Sequence, residues 1–432
     1  MEAKKITGEI EIPENILLKI KEGVKNISDL GKEIEQHSSG KTTEILELAL
    51  AGAISLNISD IHIEPEEDKI RLRGRIDGIL QNIATLDLKI HKPIVSRIKI
   101  LSKLKLNITD SPQDGRFTVS SKETEVEIRA SILPAEYGEA IVLRVLNPQS
   151  LIDMEKLGLR DDLITIFERE IKKPTGMIVV TGPTGAGKTT TLYAILKKIN
   201  SPEIKIITIE DPIEYHLGGL SQTQVNPSKG YTFANGLRSI MRQDPNVILV
   251  GEIRDPETVK IAVQASLTGH LVFSTVHTND AAGAIIRFMN LGADPSSVGS
   301  ALNMIVAQRL PRKVCSKCAK LVSSPEKEKA IREELKDLPK KALPPSFFEK
   351  EIKIPEAKGC PECGFSGYRG RVGIYEVIIV DDEMKKIITS SPSFVELKKE
   401  AIKKGMIPLK KDGLIKVIEG ITTIEEIDRV AL

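Results

Sequence analysis

Residues 158 to about 310 alternate short apolar runs with segments of helical periodicity. The apolar runs are MIVVTG, KIITIED, VILVGE and LVFSTVHT. Each run is apolar almost throughout rather than at every second position, which is typical of parallel strands covered by helices on both faces. The pattern therefore predicts an α/β core over residues 158–310.

Residues 41–147 show a different pattern, in which apolar and polar positions alternate along short strands. The predicted strands are DIHIEP, KIRLRGRI, RFTVSS and EVEIRASIL, and helices are predicted at TTEILELALAGAISL and KPIVSRIKILSKLKL. Alternation is typical of strands that bury one face. We therefore predict an α+β domain, followed by a linker over residues 148–157 in which Pro148 interrupts the pattern.

Residues 1–40 carry apolar positions three or four apart, from Leu17 to Ile34, which predict a helical appendage. Gly23 and Gly31 weaken the helical pattern, and Ser38–Gly40 is typical of a linker. The apolar stripe needs a covering surface that the pattern does not identify.

The last part of the chain is predicted as two segments. Residues 311–375 contain every cysteine around a charged, proline-containing insertion. Residues 376–432 are predicted as a C-terminal helical part, made of small helices broken at Gly405, Gly413 and Gly420.

Composition narrows the class of protein. The chain has 62 basic and 60 acidic residues, 3% aromatic residues and no Trp, so neither a strong positive field nor a set of stacking rings favours nucleic-acid binding. No window approaches 18 consecutive apolar residues, and the start MEAKKITGEI lacks the apolar core of a secretory signal. We expect a cytoplasmic protein that meets the membrane only through partners.

A phosphate-binding motif follows the first strand of the α/β core. GPTGAGKTT, residues 182–190, has the GxxxxGKT spacing between a predicted strand and a predicted helix. Glycines allow backbone amides to turn towards phosphates, Lys188 can reach the terminal phosphates, and the Thr189 hydroxyl can bind Mg²⁺. An ordinary glycine-rich turn need not combine the strand, the lysine, two threonines and the helix, so we predict an ATP site. The predicted binding residues are Gly182, Pro183, Thr184, Gly185, Ala186, Gly187, Lys188, Thr189 and Thr190.

Hydrolysis also requires carboxylates that hold the waters of the metal and orient the attacking water. Two strand ends supply candidates. IITIEDPIEY ends in Glu210, Asp211 and Glu214, and NVILVGEIRD ends in Glu252 and Arg254. Parallel strands bring such ends to one edge of a sheet. The alternative reading is that these charges only cap the strands.

The four cysteines form two CxxC pairs, Cys315 with Cys318 and Cys360 with Cys363. Four thiolates complete a closed tetrahedral site that cannot activate water, so the spacing predicts a structural zinc ion. Disulfides or free thiols are the alternative, which a cytoplasmic location disfavours.

Seven segments together resemble the ATPases of type II secretion and type IV pilus assembly. They are SDIHIEP, RGRIDG, PQDGRF, GPTGAGKTT, TIEDPIEY, LRSIMRQDPNVILVGEIRDPET and LTGHLVFSTVHTNDA, in this order along residues 42–432. The resemblance implies a RecA-like phosphate-loop core, an N-terminal PAS-like α+β domain, a zinc module and a C-terminal helical part. The zinc module is similar to that of the assembly branch, whereas the retraction branch generally lacks it.

The resemblance also implies roles for single residues. Glu210 and Asp211 match the Asp box, Glu252 the Walker B element, and His270 and His277 the His box. By resemblance Glu252 holds the hydration shell of Mg²⁺, Glu210 orients or deprotonates the attacking water, and His277 senses the γ-phosphate; which glutamate is the base stays open.

Arginines outside the phosphate loop match the family as well. The resemblance makes Arg129 and Arg144 the candidates that close over the nucleotide from the first domain. Arg238, Arg242 and Arg254 match further arginines of the core, at the nucleotide or at subunit contacts.

As a whole the resemblance implies a hexameric ring at the inner face of the membrane that hydrolyses ATP. Its motion would drive an inner-membrane platform protein, and no nucleic acid is expected as a partner. Only about 40 residues precede the first domain, where family members commonly carry a sizeable docking domain. A filament-retraction motor and a DNA-translocating ATPase of the same superfamily are the alternatives, and a protein that binds nucleotide without turnover is a third.

Overall fold

The computed structural model describes residues 8–37, 42–121, 125–148 and 151–431. Two units are distinguished: residues 1–150, 315–319 and 357–370 form the first, and residues 151–314, 320–356 and 371–432 form the second. The predicted linker Ser38–Gly40 and residues 149 and 150 of the predicted 148–157 linker lie outside the described residues.

The first unit contains four helices and a seven-stranded sheet among its described residues 8–148. Their bounds are β1 Gly8–Glu11, α1 Glu14–Gly23, α2 Ile27–Gln36, α3 Thr42–Ser55, β2 Asp60–Pro65, β3 Lys69–Ile76, β4 Ile79–Asp87, α4 His91–Leu101, β5 Gln113–Ser120, β6 Glu125–Ala135 and β7 Gly138–Leu146. The strand order is β1-β5-β6-β7-β2-β3-β4, in which only β1 and β5 run parallel. Burial alternates along β6, as the sequence pattern predicted for a strand with one face in the core, and it alternates along β7 as well.

The N-terminal segment differs from the separate appendage that the sequence suggested. Strand β1 joins the sheet through β5, and Ile10, Ile20 and Leu30 lie in the same apolar core as the sheet. The apolar stripe is therefore covered by the first unit itself. Gly31 lies inside α2, where a Cβ would stand 2.0 Å from the carbonyl oxygen of Ile83, so the glycine permits close packing of α2 on β4.

Two further details of the first unit differ from the sequence prediction. Helix α4 ends at Leu101 rather than near residue 106, because Lys103 adopts a left-handed φ of 56°. Strands β1, β4 and β7 were not among the predicted strands.

The second unit contains the α/β core and the C-terminal helices. The core elements are α5 Asp161–Glu170, β8 Gly176–Thr181, α6 Lys188–Ile199, β9 Ile206–Glu210, β10 Ser221–Gln224, α7 Phe233–Ile240, β11 Val247–Val250, α8 Pro256–Leu267, β12 Leu271–Val276, α9 Ala281–Asn290, α10 Pro295–Ala301 and β13 Leu302–Arg309. They are followed by β14 Arg312–Val314, β15 Lys320–Ser323, α11 Pro325–Leu335, β16 Lys353–Glu356, β18 Ile374–Ile379, α12 Asp382–Thr389, α13 Phe394–Lys403, α14 Leu409–Ile418 and α15 Ile424–Ala431. Strand β17, Tyr368–Arg371, lies in the first unit except for its last residue.

The central sheet has the strand order β10-β9-β11-β12-β8-β13-β18, and only β18 runs antiparallel to its neighbour. Successive side chains of β8 enter two different cores: Met177 and Val179 one, Ile178 and Val180 the other. Helices therefore cover both faces of the sheet, as the continuous apolar runs predicted. The parallel arrangement brings the carboxyl ends of β8, β9, β11, β12 and β13 to one edge.

Two sequence expectations about the last segments need correction. The cysteine loops, residues 315–319 and 357–370, belong to the first unit, whereas residues 320–356 of the predicted 311–375 module belong to the second. Gly413 does not break a helix but lies inside α14, where a Cβ would stand 2.6 Å from the Ile427 Cδ1 atom of α15. Close packing of the two helices thus explains this glycine.

Among the residues that the structure describes, no helix has the length and apolar character needed to span a bilayer.

Candidate functional site

The predicted phosphate loop connects β8 to α6. Gly182, Gly185 and Gly187 have φ values of 151°, 79° and 84°, which favour glycine. A Cβ at Gly182 would stand 2.7 Å from the carbonyl oxygen of Gln308, so side chains are excluded there by space as well. Helix α6 begins directly after Gly187, and a helix start next to such a loop suits an anionic group.

Lys188 is the first residue of α6. Its Nζ donates hydrogen bonds to the carbonyl oxygens of Gly182 at 2.8 Å and Pro183 at 3.0 Å, so the ammonium group lies over the loop. The pKa of Lys188 is lowered to about 8, mainly by burial. The charge of nearby Arg309 contributes to this shift, and the charge of Glu252 opposes it. The lysine is therefore a cation held at low hydration beside the loop.

The remaining loop residues differ in exposure. Pro183, Thr184 and Gly185 are exposed, Ala186 is buried, and Thr189 and Thr190 are partly exposed in the first turn of α6. The Thr189 hydroxyl is thus accessible to a metal ion. The next residue, Thr191, is buried and donates from Oγ1 to Oε1 of Gln308 at 2.7 Å. This bond fixes α6 to the end of β13.

Glu252 follows β11 and is 9% exposed. Its Oε2 atom lies 2.5 Å from Nε of Arg254 and 3.5 Å from Nε2 of His277. Burial lowers the pKa of His277, and the positive charges of Lys188 and Arg254 add to this effect, which favours the neutral imidazole. The structure therefore brings together four predicted residues: Lys188, Glu252, Arg254 and His277.

Glu210, the last residue of β9, is enclosed by hydrogen-bond donors. Glu210 is 3% exposed, and its carboxylate accepts hydrogen bonds from Tyr193 Oη, from Thr208 Oγ1 at 2.6 Å and from Gln222 Nε2 at 3.3 Å. Burial raises the pKa of Glu210. These contacts anchor β9 to α6 and β10.

The neighbouring acidic residues are more open. Asp211 is exposed, and Glu214 is partly exposed and interacts electrostatically with Glu210. Of the two predicted histidines, His270 lies at the amino end of β12, where its Nδ1 is 3.0 Å from the carbonyl oxygen of Ala265. His270 is therefore at the edge of the sheet opposite to the phosphate loop.

The predicted arginines of α7 and its extension, the 3₁₀ turn Met241–Gln243, are not brought to the loop. Arg238 donates to Glu257 of α8 at 2.5 Å and to Asn235 at 3.1 Å. Arg242 donates to the carbonyl oxygen of Arg238 at 3.0 Å and to Ser239 at 3.3 Å. Both side chains are exposed, and their partners are all on α7 and α8.

Arg129 and Arg144 belong to the first unit, where they are directly opposite each other on β6 and β7. Arg144 donates from Nε to Oδ1 of Asp60 at 3.0 Å, and Nε of Arg129 is 3.5 Å from Oε1 of Glu127. Two like charges in opposite positions are unfavourable in a sheet unless anions balance them. The carboxylates of Asp60 and Glu127 supply part of that balance.

Sequence reasoning missed several residues at the phosphate-loop edge of the sheet. Thr181, the last residue of β8, donates from Oγ1 to the carbonyl oxygen of Val276 at 3.0 Å and lies 2.7 Å from the Thr278 hydroxyl. Gln308 and Arg309 end β13 next to the loop. The sequence does indicate Gln308 and Arg309, because LNMIVAQR is a largely apolar run that ends in these two polar residues.

The four cysteines lie together. Their Sγ atoms all lie within 4.8 Å of one another, with separations of 3.9 Å for Cys315–Cys360 and Cys318–Cys363 and 3.8 Å for Cys360–Cys363. A disulfide requires about 2.05 Å. A tetrahedral zinc site with Zn–S bonds of about 2.3 Å has S–S edges of about 3.8 Å, so the donor set fits zinc.

Backbone amides support this assignment. Cys363 Sγ accepts from the amides of Cys360 at 3.2 Å and Gly367 at 3.3 Å. Burial alone would raise the pKa of the Cys363 thiol, but these amide donors lower it to about 7. Burial raises the pKa of the Cys318 thiol to about 12. Amide donors to sulfur stabilise thiolates, which are the form that binds zinc.

Comparison with known proteins agrees with this geometry. The sequence pattern of the family described as "Type II/IV secretion system protein" matches residues 35–429. The chain is 44% identical over 398 residues to the type II secretion system protein E of Pseudomonas aeruginosa, covering 92% of this chain and 77% of the relative. It is 41% identical over 409 residues to the type IV pilus assembly ATPase PilB of Myxococcus xanthus, covering 94% and 70%.

Solved structures give the same fold. The pilus retraction motor PilT with bound ADP matches with a TM-score of 0.59 and 26% identity, covering 88% of this chain and 95% of PilT. The ATPase DotB of Legionella pneumophila matches with a TM-score of 0.64 and 20% identity, covering 89% and 95%. The core thus has the RecA-like fold of secretion ATPases, as the sequence predicted. With the matched segment extending over most of its length, the chain belongs to the Type II/IV secretion system protein family.

Proposed function

We propose that this chain hydrolyses ATP to ADP and phosphate, and that it works as a hexameric ring that powers assembly of a type IV pilus or a type II secretion pseudopilus. One observation carries the proposal: a glycine-rich loop with Lys188 lies at the same sheet edge as Glu252 and His277. A phosphate-binding loop and an acidic group at the same edge of the sheet are the combination that phosphoryl transfer requires. The names of the relatives, a secretion protein E and a pilus assembly ATPase, support the assembly role.

Each residue of the loop edge has a proposed part in the reaction. Lys188 would move from the loop carbonyls to the terminal phosphates, where its positive charge is needed. The Thr189 hydroxyl and the hydration shell at Glu252 would hold Mg²⁺, which neutralises charge developing on the phosphates. His277, held neutral by its surroundings, can donate one ring N–H to the γ-phosphate.

We propose Glu214 as the residue that orients or deprotonates the attacking water. Glu210 is only 3% exposed, whereas Glu214 follows the same strand and is partly exposed. A general base must be able to reach water in the site. Asp211 would contribute to nucleotide binding from the same turn.

The arginines have proposed roles that rest on family membership. Arg129 and Arg144 would neutralise charge on the transferred phosphoryl group, and Arg254 would hold Glu252. Arg238 and Arg242, which are exposed on α7 and its extension, suit contacts between subunits of the ring.

The partner and location follow from the same proposal. Motion of the ring would act on an inner-membrane platform protein, so the chain would be cytoplasmic at the inner face of the membrane. Zinc bound by Cys315, Cys318, Cys360 and Cys363 would hold the two cysteine loops together as a structural site. No nucleic acid is needed as a partner.

The test is Mg²⁺-dependent phosphate release by the purified chain and two variants. Lys188→Ala should abolish nucleotide binding or turnover. Glu252→Gln should still bind ATP, yet hydrolyse it at least about 100-fold more slowly. The reason is that a neutral amide replaces the carboxylate that would hold the hydration shell of Mg²⁺. Hydrolysis at the wild-type rate in both variants contradicts the proposal.

A further inference from the structure

The segment that follows β12, residues 277–281, is held by three other elements of the second unit. We call it the His277 loop. The Asn279 carbonyl oxygen accepts from Nη2 of Arg309 at 2.7 Å. The Ala281 amide donates to Oε1 of Glu376 at 2.9 Å, and the Asp280 carboxylate accepts from Nζ of Lys398 at 2.9 Å.

Arg309 contacts the phosphate loop as well as the His277 loop. It ends β13, the strand that pairs with β8 on the side opposite to β12. Its Nη1 donates to the carbonyl oxygen of Gln308 at 2.9 Å, and a Cβ at Gly182 would stand 3.3 Å from this nitrogen. The guanidinium group therefore rests against the first glycine of the phosphate loop. Asp280 and Glu376 are the carboxylates whose charges act on it.

Asp280 connects the His277 loop to the C-terminal helices. One carboxylate oxygen caps α9 by accepting from the Gly283 amide at 2.8 Å, and the other pairs with Lys398 of α13. The pair is partly sheltered, since the Asp280 side chain is 15% exposed and that of Lys398 is 36% exposed. A pair in such surroundings is screened less than a fully exposed one.

Buried Glu376 fixes the other side of the loop. It lies on β18, is 2% exposed, and accepts from the amide at the start of α9. A carboxylate in that place suits the positive end of the helix. Glu376 therefore makes a fixed support for the start of α9, whereas Arg309 and Lys398 are partly exposed cations whose bonds can change.

We propose that Arg309 is a positioning residue that couples the phosphate loop to the His277 loop, and that the Asp280–Lys398 pair passes this coupling on to α13. This inference rests on the proposed function, because it needs a nucleotide at the phosphate loop. A triphosphate beside Gly182 attracts the guanidinium group more strongly than the neutral Asn279 carbonyl does. Movement of Arg309 towards the phosphates then releases or shifts residues 279–281. Asp280, the partner of Lys398, moves with them.

The coupling gives the C-terminal helical part a way to respond to the nucleotide. The His277 loop is tied to β8 by the Thr181–Thr278 pair, so its shift is confined to residues 279–281. Two sites linked in this way must influence each other reciprocally. A partner that holds α13 in one position would therefore change the nucleotide affinity.

The experiment compares Arg309→Gln with Arg287→Gln, a matched change at an exposed arginine on α9. Nucleotide binding is titrated with ADP and a non-hydrolysable ATP analogue in the presence of Mg²⁺, and hydrogen exchange is followed at residues 277–281 and 394–403. In the wild type and Arg287→Gln, the ATP analogue should change exchange in both segments. In Arg309→Gln both changes should be lost and kcat should fall about tenfold or more, with KM within about threefold.

A second pair of variants tests the step in which the Asp280–Lys398 pair passes the coupling on to α13. Lys398→Gln should keep the exchange change at residues 277–281 and lose it in α13, whereas Lys399→Gln, at the exposed neighbouring position, should keep both. Arg309→Lys, which keeps the charge but not the two-pronged geometry, should restore part of kcat. Thermal unfolding of each variant checks that it folds.

The possible outcomes distinguish a failure of the proposed coupling from a failure of the proposed ATPase function. A wild-type chain that binds no nucleotide overturns both. A wild-type chain that binds and hydrolyses ATP without an exchange change at residues 277–281 overturns the coupling alone. Wild-type exchange responses and kcat in Arg309→Gln overturn it as well.

Discussion

The side-chain amide of Asn26 donates a hydrogen bond to the carbonyl oxygen of Pro361 at 2.8 Å, although 335 positions separate the two residues. Asn26 is also the N-cap of α2, with Oδ1 accepting from the amides of Ser28 and Asp29. One buried side chain thus starts a helix of the N-terminal segment and holds the second cysteine loop. The cysteine loops are therefore part of the first unit through specific polar contacts, and Asp77 adds another by accepting from the Gly370 amide at 2.7 Å.

Zinc removal is expected to loosen α2. The loop that carries Pro361 lies between Cys360 and Cys363, so the loss of the metal frees the carbonyl group that Asn26 contacts. We expect one zinc ion per chain by metal analysis, and faster hydrogen exchange at residues 27–36 after chelation. Adding zinc back should reverse the change. Unchanged exchange in α2 on chelation would contradict the structural role.

Asn26→Ala is expected to lower the free energy of unfolding by about 1–2 kcal/mol, because it removes a helix cap together with a bond to the cysteine loop. Asn26→Ser separates the two effects. A serine keeps the cap acceptor but has no amide to donate to Pro361, so it should cost less than the alanine. Denaturant unfolding measures both variants, and equal losses would show that only the Pro361 bond matters.

Some features of the fold and the site were readable from the sequence and others were not. The apolar runs predicted the two-sided sheet, and the strand ends predicted that the acidic residues after β9 and β11 would lie at one edge, because parallel strands share that edge. His277 was a candidate only through the family resemblance. The hydrogen-bond network of Glu210 could not be predicted, since its donors Tyr193 and Gln222 come from α6 and β10, and single-sequence patterns do not show such contacts. The two helical glycines, Gly31 and Gly413, were misjudged for the same reason: their use lies in packing against another element.

Substitutions at Glu210 and Glu214 are expected to have opposite effects. Glu210→Gln replaces one of the acceptor oxygens in a buried network, so it should lower stability by about 1–3 kcal/mol while kcat per folded molecule stays within about threefold. Glu214→Gln should leave the unfolding temperature unchanged and lower kcat by about 100-fold or more, as expected for a general base. Thermal unfolding and steady-state phosphate release distinguish the two.

The comparison between these two variants has a clear contrary result. If Glu210→Gln loses turnover at unchanged stability and Glu214→Gln keeps it, the base is Glu210, and its hydrogen-bond network must open during the reaction. Asp211→Asn, at the exposed neighbouring position, serves as a control for changes of charge in the same turn; it should affect KM more than kcat.

Glu426 is expected to make the second unit sensitive to acid. Its carboxylate accepts from the Arg312 amide at 3.0 Å, from Nη2 of Arg312 at 2.6 Å, and from Nε and Nη2 of Arg429 at 2.9 and 2.7 Å. Burial opposes ionisation, yet these donors lower the pKa of Glu426 from 4.5 to about 2. A pKa below that of the unfolded chain means that the contribution to stability is complete above pH 4.5 and is lost as the pH falls towards 2.

Glu426→Gln should therefore destabilise the protein by about 2 kcal/mol at pH 7, after allowance for solvent screening of the arginines. The difference between wild type and variant should fall to about half by pH 3, because the carboxyl group of Glu426 is then protonated in the unfolded chain, whereas in the folded protein it is still largely ionised. Glu425→Gln is the matched control at the preceding position of α15, where the carboxylate meets Lys327 on the surface at 2.9 Å. Denaturant unfolding at pH 7 and pH 3 measures the trend, and a difference that grows on acidification would contradict the role given to the two arginines.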